Sequence, residues 1–263
     1  MADKHRARKR FGQNFLTDDN IIAQIAHVIR AERDDKLVEI GPGKAALTRA
    51  LLPDVDSLDV IEIDRDLIAG LEKLALEYPA LHVHCADVLK FDMRSLLSEN
   101  ERHQKLRVIG NLPYNISTPI MFHLLANSDI IQDMHFMLQK EVVERMAAAP
   151  GCSDYGRLTI MVQYQCQVEN LFLVPPYAFN PQPKVDSAIV RLTPHAELPV
   201  KANDEVVFKK LVTKAFTQRR KTLRNAIKDF VDAEKIQSLD IDPTRRPETL
   251  SVSEYVALSN LVN

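Results

Sequence analysis

The stretch NLPY (111–114) sets an amide, a backbone carbonyl, a rigid imino acid and an aromatic ring within four residues. It follows LRVIG (106–110), which is apolar enough to be a buried strand, so NLPY stands where that strand leaves its sheet. These types suit the handling of a planar amine on an aromatic base. Such an amine is a poor nucleophile because its lone pair is delocalised into the ring. The Asn111 side-chain oxygen and the Leu112 carbonyl are two acceptors that would hold its hydrogens and stabilise charge developing on nitrogen. Pro113 fixes the turn, and Tyr114 offers a ring on which an extruded base can stack. The plainer alternative is an Asn-capped helix over ISTPIMFHLLA, with Tyr114 as ordinary packing.

Other strand ends carry compatible features. KLVEI (36–40) runs into Gly41, Pro42 and Gly43, where missing side chains let a ligand approach the backbone. Glu62 lies about 20 residues further on, placed to accept both hydroxyls of a ribose. Asp87 follows LHVHC (81–85) and suits a polar edge such as that of adenine. A GPG is usually a turn and an Asp after a strand is usually a cap, but the features occur in order at successive strand ends. Parallel sheets bind ligands there. GPGKAA formally fits a dinucleotide loop, yet Pro42 removes an N–H from the segment that would cradle a pyrophosphate. S-adenosylmethionine has no phosphate and ranks above a dinucleotide as the cofactor.

The elements that must position these residues follow from periodicity. TDDNIIAQIAHVIRA (17–31) reads as a capped amphipathic helix. KLVEI (36–40), DVIEI (59–63), LHVHC (81–85) and LRVIG (106–110) read as buried strands, with helices over 44–52, 65–77 and 116–126. Segments 132–140, 168–174 and 187–192 read as further strands. Alternating strands and helices predict an α/β fold with a mostly parallel sheet covered on both faces. From about residue 197 the pattern is helical only. The expected domains are therefore 1–196 and a small helical domain over 197–263, divided near TPHAELPV (193–200).

Composition limits the class. The 263 residues are 46% hydrophobic and hold no run near the ~18 apolar residues of a membrane span. The N-terminus lacks the apolar core of a signal peptide, and three Cys without a CxxC pair argue against a disulfide framework or zinc site. A cytoplasmic protein is expected. His82 and His84 alternate on one strand with no third ligand at a usual spacing, so no metal is expected. The net charge of −2 hides two basic blocks: residues 1–10 carry five Lys/Arg against Asp3, and 201–228 carry nine against Asp204 and Glu205.

The segments KRFGQNFL (9–16), VEIGPG (38–43), IEID (61–64), NLPYNIST (111–118), HFMLQKEV (135–142), PKVDSAIVRL (183–192) and FTQRRKTLRN (216–225) resemble the ribosomal RNA adenine dimethyltransferases of the bacterial small-subunit type. The resemblance spans almost the whole chain. It implies a Rossmann-like class I methyltransferase sheet and S-adenosylmethionine as methyl donor. The implied reaction is dimethylation of two adjacent adenosines near the 3′ end of 16S ribosomal RNA during late small-subunit assembly. It further implies that Asn14, Leu16, Gly41, Glu62, Asp87 and Asn111 line the cofactor. Asn111, Leu112 and Tyr114 would hold the target base, with Phe179 of FNPQPKVDS as a second stacking face. The basic block around Arg219, Arg220, Lys221 and Arg224 would contact RNA phosphates, and a monomer acting on the small-subunit particle is expected. A large-subunit dimethyltransferase of the macrolide-resistance type, or a mainly non-catalytic assembly factor, are the alternatives. One departure is plain: Lys44 and Ala45 stand in GPGKAALT where the family usually has an apolar residue and a further Gly.

Overall fold

Strands buried on both faces of a sheet need apolar residues at nearly every position, and the short runs noted above meet that demand. The computed structural model describes residues 13–101 and 103–262. The basic residues 1–10 therefore lie outside the described residues.

In chain order the elements are β1 (Phe15–Leu16), α1 (Asp19–Ile29), β2 (Lys36–Ile40), α2 (Ala46–Leu51), β3 (Leu58–Glu62), α3 (Arg65–Glu77), β4 (Leu81–Cys85), β5 (Leu106–Asn111), α4 (Ser117–Leu125) and β6 (Ile131–Gln139). Then follow α5 (Lys140–Ala147), α6 (Arg157–Gln165), β7 (Cys166–Val174), β8 (Phe179–Asn180), β9 (Ser187–Pro194), α7 (Glu205–Thr217), α8 (Leu223–Ala226), α9 (Ala233–Gln237) and α10 (Val252–Asn260). Short 3₁₀ turns link several of them.

The chain divides into two compact units, Met1–Val143 with Glu169–Pro194, and Glu144–Val168 with His195–Asn263. The sequence places a boundary near residues 193–200, and the second unit resumes at His195. Residues 144–168, kept with the first domain in the sequence reading, cluster instead with the second unit.

The first unit is built on a seven-stranded sheet of order β4-β3-β2-β5-β6-β9-β7. The pairs from β4 to β6 are parallel, and β9 joins β6 antiparallel. The order reverses at β2, where β3 lies on one side and β5 on the other, so a crevice opens beyond the strand ends. Gly110 allows the close approach of β5 to β2, since a Cβ there would lie 2.6 Å from the Ile40 carbonyl oxygen. Helix α1 is capped by Asp18, whose carboxylate accepts from the Asn20 and Ile21 N–H groups. Its last carbonyls, Ile29 and Arg30, accept from the Arg107 guanidinium, which also pairs with Asp35 and Asp133. Arg107 is 6% exposed, so this network settles a buried charge and ties α1 to the sheet.

In the second unit Phe208, Leu211, Tyr164 and Tyr255 are fully buried, and the Tyr164 and Phe208 rings meet at 4.6 Å. Helix α10 opens with a reciprocal Ser251–Glu254 capping box. Within the helical pattern expected from about residue 197, the segment 222–231 forms only the four-residue α8, whose first N–H groups bond to the Arg245 and Pro243 carbonyls. The basic run interrupts that pattern. Helix α7 stops at Thr217, and residues 218–222 turn, with the Lys221 N–H donating to the Gln218 carbonyl.

Candidate active site

A cavity of about 310 Å³ lies at the carboxyl ends of the central strands. The features singled out at four strand ends all line it: Gly41, Glu62, Asp87 and the turn Asn111–Tyr114. Asn14 and Leu16, from the segment preceding α1, line it too.

The loop after β2 is shaped by backbone conformation. Gly41 and Gly43 have φ of 68° and 59°, the left-handed region that favours glycine. A Cβ at Gly43 would come within 3.1 Å of the Phe15 ring. Ala45, at the residue before α2, also takes a left-handed φ of 63°. Lys44 reaches over the Phe15 ring, with its Nζ 4.7 Å from the centroid.

Two buried carboxylates face the cavity. Glu62 is 6% exposed, and its oxygens accept from the Asp64 N–H at 2.8 Å and the Gly43 N–H at 3.3 Å. Burial raises its pKa against the lowering effect of these backbone donors. Glu39, one strand away, is 3% exposed and accepts from the Thr48 hydroxyl at 2.6 Å. Burial, with the Glu62 charge adding to it, pushes the Glu39 carboxyl up to about 7. The sequence reading assigned Glu39 no role, although an acid inside the apolar run LVEI was a visible signal. Asp87 lines the cavity and also caps the turn 88–90 through the Leu89 N–H at 3.1 Å.

The turn after β5 shows how the amide is oriented. Asn111 Nδ2 donates to the Asn14 backbone carbonyl at 2.9 Å. That bond leaves Oδ1 as the open side of the amide, and among the described residues nothing donates to Oδ1 or to the Leu112 carbonyl. The Leu112 N–H donates to the Met137 carbonyl at 3.3 Å, which holds the turn against β6. The Tyr114 hydroxyl shares a 2.7 Å hydrogen bond with Ser187, and the Ser187 side chain is fully buried on β9. The ring is thus pinned at its polar end, a contact between residues 73 apart that the sequence did not disclose.

His135 on β6 also lines the cavity. It is 3% exposed, burial pushes its imidazole down to about 4, and neither ring nitrogen has a hydrogen-bond partner among the described residues. It is therefore neutral at physiological pH.

Phe179 requires correction as an open stacking face. Residues Phe179 and Leu16 pair across β8 and β1, and the ring lies in the apolar cluster with Leu16, Ile25 and Ile29 at 2% exposure. It does not line the cavity.

The basic residues lie in the second unit. Arg219 is engaged there: its Nη2 donates to the Ser153 carbonyl at 2.6 Å, and its Nε lies 3.9 Å from Glu248. Arg220 and Lys221 are exposed and make no ion pair among the described residues, and Arg224 is exposed on α8. Among the described residues there is no group of three or more His, Cys, Asp or Glu able to hold a metal, and His84 is engaged with Asp59 at 2.6 Å. Among the same residues no helix is long and apolar enough to cross a membrane.

A family model described as ribosomal RNA adenine dimethylase matches residues 4–263. The chain belongs to that family. Two relatives, both named ribosomal RNA small subunit methyltransferase A, are each 57% identical over 98% of this chain. One is from Chromohalobacter salexigens and is covered over 92% of its length; the other, from Pseudomonas aeruginosa, over 95%. Among solved structures, a dimethyladenosine transferase from Plasmodium falciparum superposes with a TM-score of 0.80 at 27% identity, covering 93% of this chain and 95% of that one. The 23S rRNA methyltransferase ErmE gives 0.74 at 25% identity, over 94% and 98%. The sheet is thus that of the class I rRNA methyltransferases. The dimethylase family accounts for the co-location of the glycine loop, the acids and NLPY in one crevice.

Proposed function

We propose that this chain dimethylates the exocyclic N6 amines of two adjacent adenosines near the 3′ end of 16S ribosomal RNA, in the small subunit, using S-adenosylmethionine. The observation that carries the reading is the Asn111–Asn14 hydrogen bond. It turns the amide so that Oδ1 and the neighbouring Leu112 carbonyl form two open acceptors, the number a primary amine needs. S-adenosylmethionine supplies an electrophilic methyl group. Glu62 accepts its ribose hydroxyls, Asp87 meets the adenine edge, and the left-handed turn at Gly41 and Gly43 leaves room for the rest. The residues fit such a group better than a dinucleotide, because Pro42 deprives the loop of one N–H.

Asn111 and Leu112 hold the two N6 hydrogens so that the nitrogen lone pair is aimed at the methyl group, and they stabilise the positive charge that develops on nitrogen. Tyr114 stacks on the extruded base. No strong base is needed, because the amine becomes acidic as it is alkylated. Exposed Arg220, Lys221 and Arg224 contact RNA phosphates, and the chain acts in the cytoplasm as a monomer during late small-subunit assembly. The likeness to ErmE favours a second reading, methylation of large-subunit RNA, but the relatives at 57% identity carry the small-subunit name.

The deciding experiment mixes purified protein and labelled S-adenosylmethionine with unmethylated small subunits or with large-subunit RNA. N6,N6-dimethyladenosine formed in the small-subunit RNA supports the reading. Label only in the large-subunit RNA, or none in either, overturns it.

A further inference from the structure

The register of the sheet places three side chains in one row across the cavity floor. Asn111 on β5 pairs with Met137 on β6, and Met137 pairs with Ile189 on β9. Residues paired across a sheet project to the same face, with Cβ atoms about 5 Å apart. All three line the cavity, and Met137 and Ile189 are 3% and 1% exposed. Beside the Asn111 amide the wall is thus a thioether and a branched alkyl group. The adjacent rows differ: His135 pairs with Ile109 on one side, and Gln139 pairs with Ser187 on the other. Met137 and Ile189 lie level with Asn111.

Transfer of two methyl groups to one nitrogen presents the site with two different substrates. In each transfer the N6 lone pair forms the new N–C bond, the S–C bond breaks with its electrons left on sulfur, and one N6 proton leaves to water. Before the first transfer N6 offers two hydrogens to two acceptors. Before the second it offers one hydrogen and one methyl group. A site with only polar surface around the amine would set that methyl against an acceptor and strand it, which disfavours the second complex.

We propose that Met137 and Ile189 form the shelf that receives the N6-methyl of the monomethylated base, while the remaining N–H stays on the Leu112 carbonyl. This rests on the reading of Asn111 and Leu112 as the holders of the target amine. A methionine suits the task because its unbranched, polarisable side chain can adjust to a methyl that is absent in the first transfer and present in the second.

Filling the shelf tests the idea. Met137→Phe adds bulk, and Ile189→Met extends toward the cavity while nearly conserving volume, so the second variant keeps the fold if the first does not. Ile189→Val widens the shelf instead. Each is assayed on unmethylated small subunits with S-adenosylmethionine, and nucleosides are resolved by mass spectrometry over time. In the filled variants the first transfer should stay within about threefold of the parent and the second should slow at least tenfold, so that N6-monomethyladenosine accumulates. Ile189→Val should still finish at dimethyladenosine. The shelf is refuted if Ile189→Met dimethylates at the parental rate, if both transfers fall in parallel, or if the widened variant also stalls at one methyl. Asn111→Ala separates the two layers of the argument. If it retains the first transfer, the holding role of Asn111 falls. If it loses that transfer while the filled variants dimethylate normally, only the shelf falls.

Discussion

Glu39 should make the free protein less stable as pH rises through neutrality, opposite to the usual behaviour of a paired carboxylate. Its carboxyl is buried at 3% exposure, beside Glu62, with the Thr48 hydroxyl as its one side-chain donor among the described residues, and is raised to about 7 from an ordinary 4.5. Below about pH 4.5 the group is protonated in both folded and unfolded chains, and it takes nothing from stability. Between 4.5 and 7 the unfolded chain releases the proton while the folded chain keeps it, so stability falls; above 7 the penalty is complete. With these two values the penalty is roughly 1 kcal/mol at pH 5 and roughly 3 kcal/mol at pH 8. Glu39→Gln keeps the shape and an acceptor for Thr48 but cannot ionise. Urea unfolding of parent and variant at the two pH values cancels the titration of the groups that do not interact with Glu39. The stability of the variant relative to the parent should therefore improve by about 2 kcal/mol from pH 5 to pH 8. A difference that stays flat within about 0.5 kcal/mol would show that Glu39 is ionised in the folded protein at little cost, and the desolvation argument would fail.

Gly110→Ala sets a Cβ 2.6 Å from the Ile40 carbonyl oxygen across a paired strand, where backbone must move rather than a side-chain tip. It should cost about 1–3 kcal/mol in urea unfolding and reduce turnover by shifting Asn111; unchanged stability would show that the strands can part freely. Tyr114→Phe keeps the ring but strands the buried Ser187 hydroxyl, so turnover should fall less than about tenfold and recover in the Tyr114→Phe/Ser187→Ala pair, whereas Tyr114→Ala should lose far more. Failure of the pair to recover would remove Ser187 from the positioning of the ring. Replacing Arg220 and Lys221 by Ala should flatten the salt dependence of particle binding by roughly 1.4 units if both meet phosphates in single-stranded RNA, while Arg219→Ala should lower stability through the lost Ser153 contact.

The central strands were legible because β2 and β5 are short and buried along nearly their whole length, which leaves little freedom in residue type along KLVEI or LRVIG, whereas β4, expected as a buried strand, buries only Leu81. Helix α3 was placed at its observed bounds because Asp64 caps it and Leu67, Leu71 and Leu74 repeat at helical spacing. What escaped depends on contacts distant in sequence. Two residues of β1 against two of β8 give no periodic signal, yet their pairing buries Phe179 and makes it packing rather than an open ring. Membership of residues 144–168 in the second unit is a property of their neighbours, not of their composition. The row Asn111–Met137–Ile189 exists only because β9 pairs antiparallel with β6, and no local pattern announces that register.

The glycine loop shows how a departure from a family pattern can leave a site intact. Residues 41, 43 and 45 take left-handed φ of 68°, 59° and 63°, and the third is an alanine. Left-handed backbone costs a non-glycine residue about 1–2 kcal/mol. The Ala45 methyl, however, is 4% exposed within the cluster that includes Leu16 and Leu47, and burying a methyl group returns about 0.8 kcal/mol. A glycine there would also restrict itself on folding from a wider unfolded ensemble, at roughly 0.5–1 kcal/mol. Strain and compensation nearly cancel, so position 45 is free to hold either residue. At Gly43 no such balance exists, because a side chain would press on Phe15 as well as occupy left-handed backbone. The shape of the loop after β2 is therefore set by Gly41 and Gly43, and the departure at Ala45 follows that shape instead of changing it.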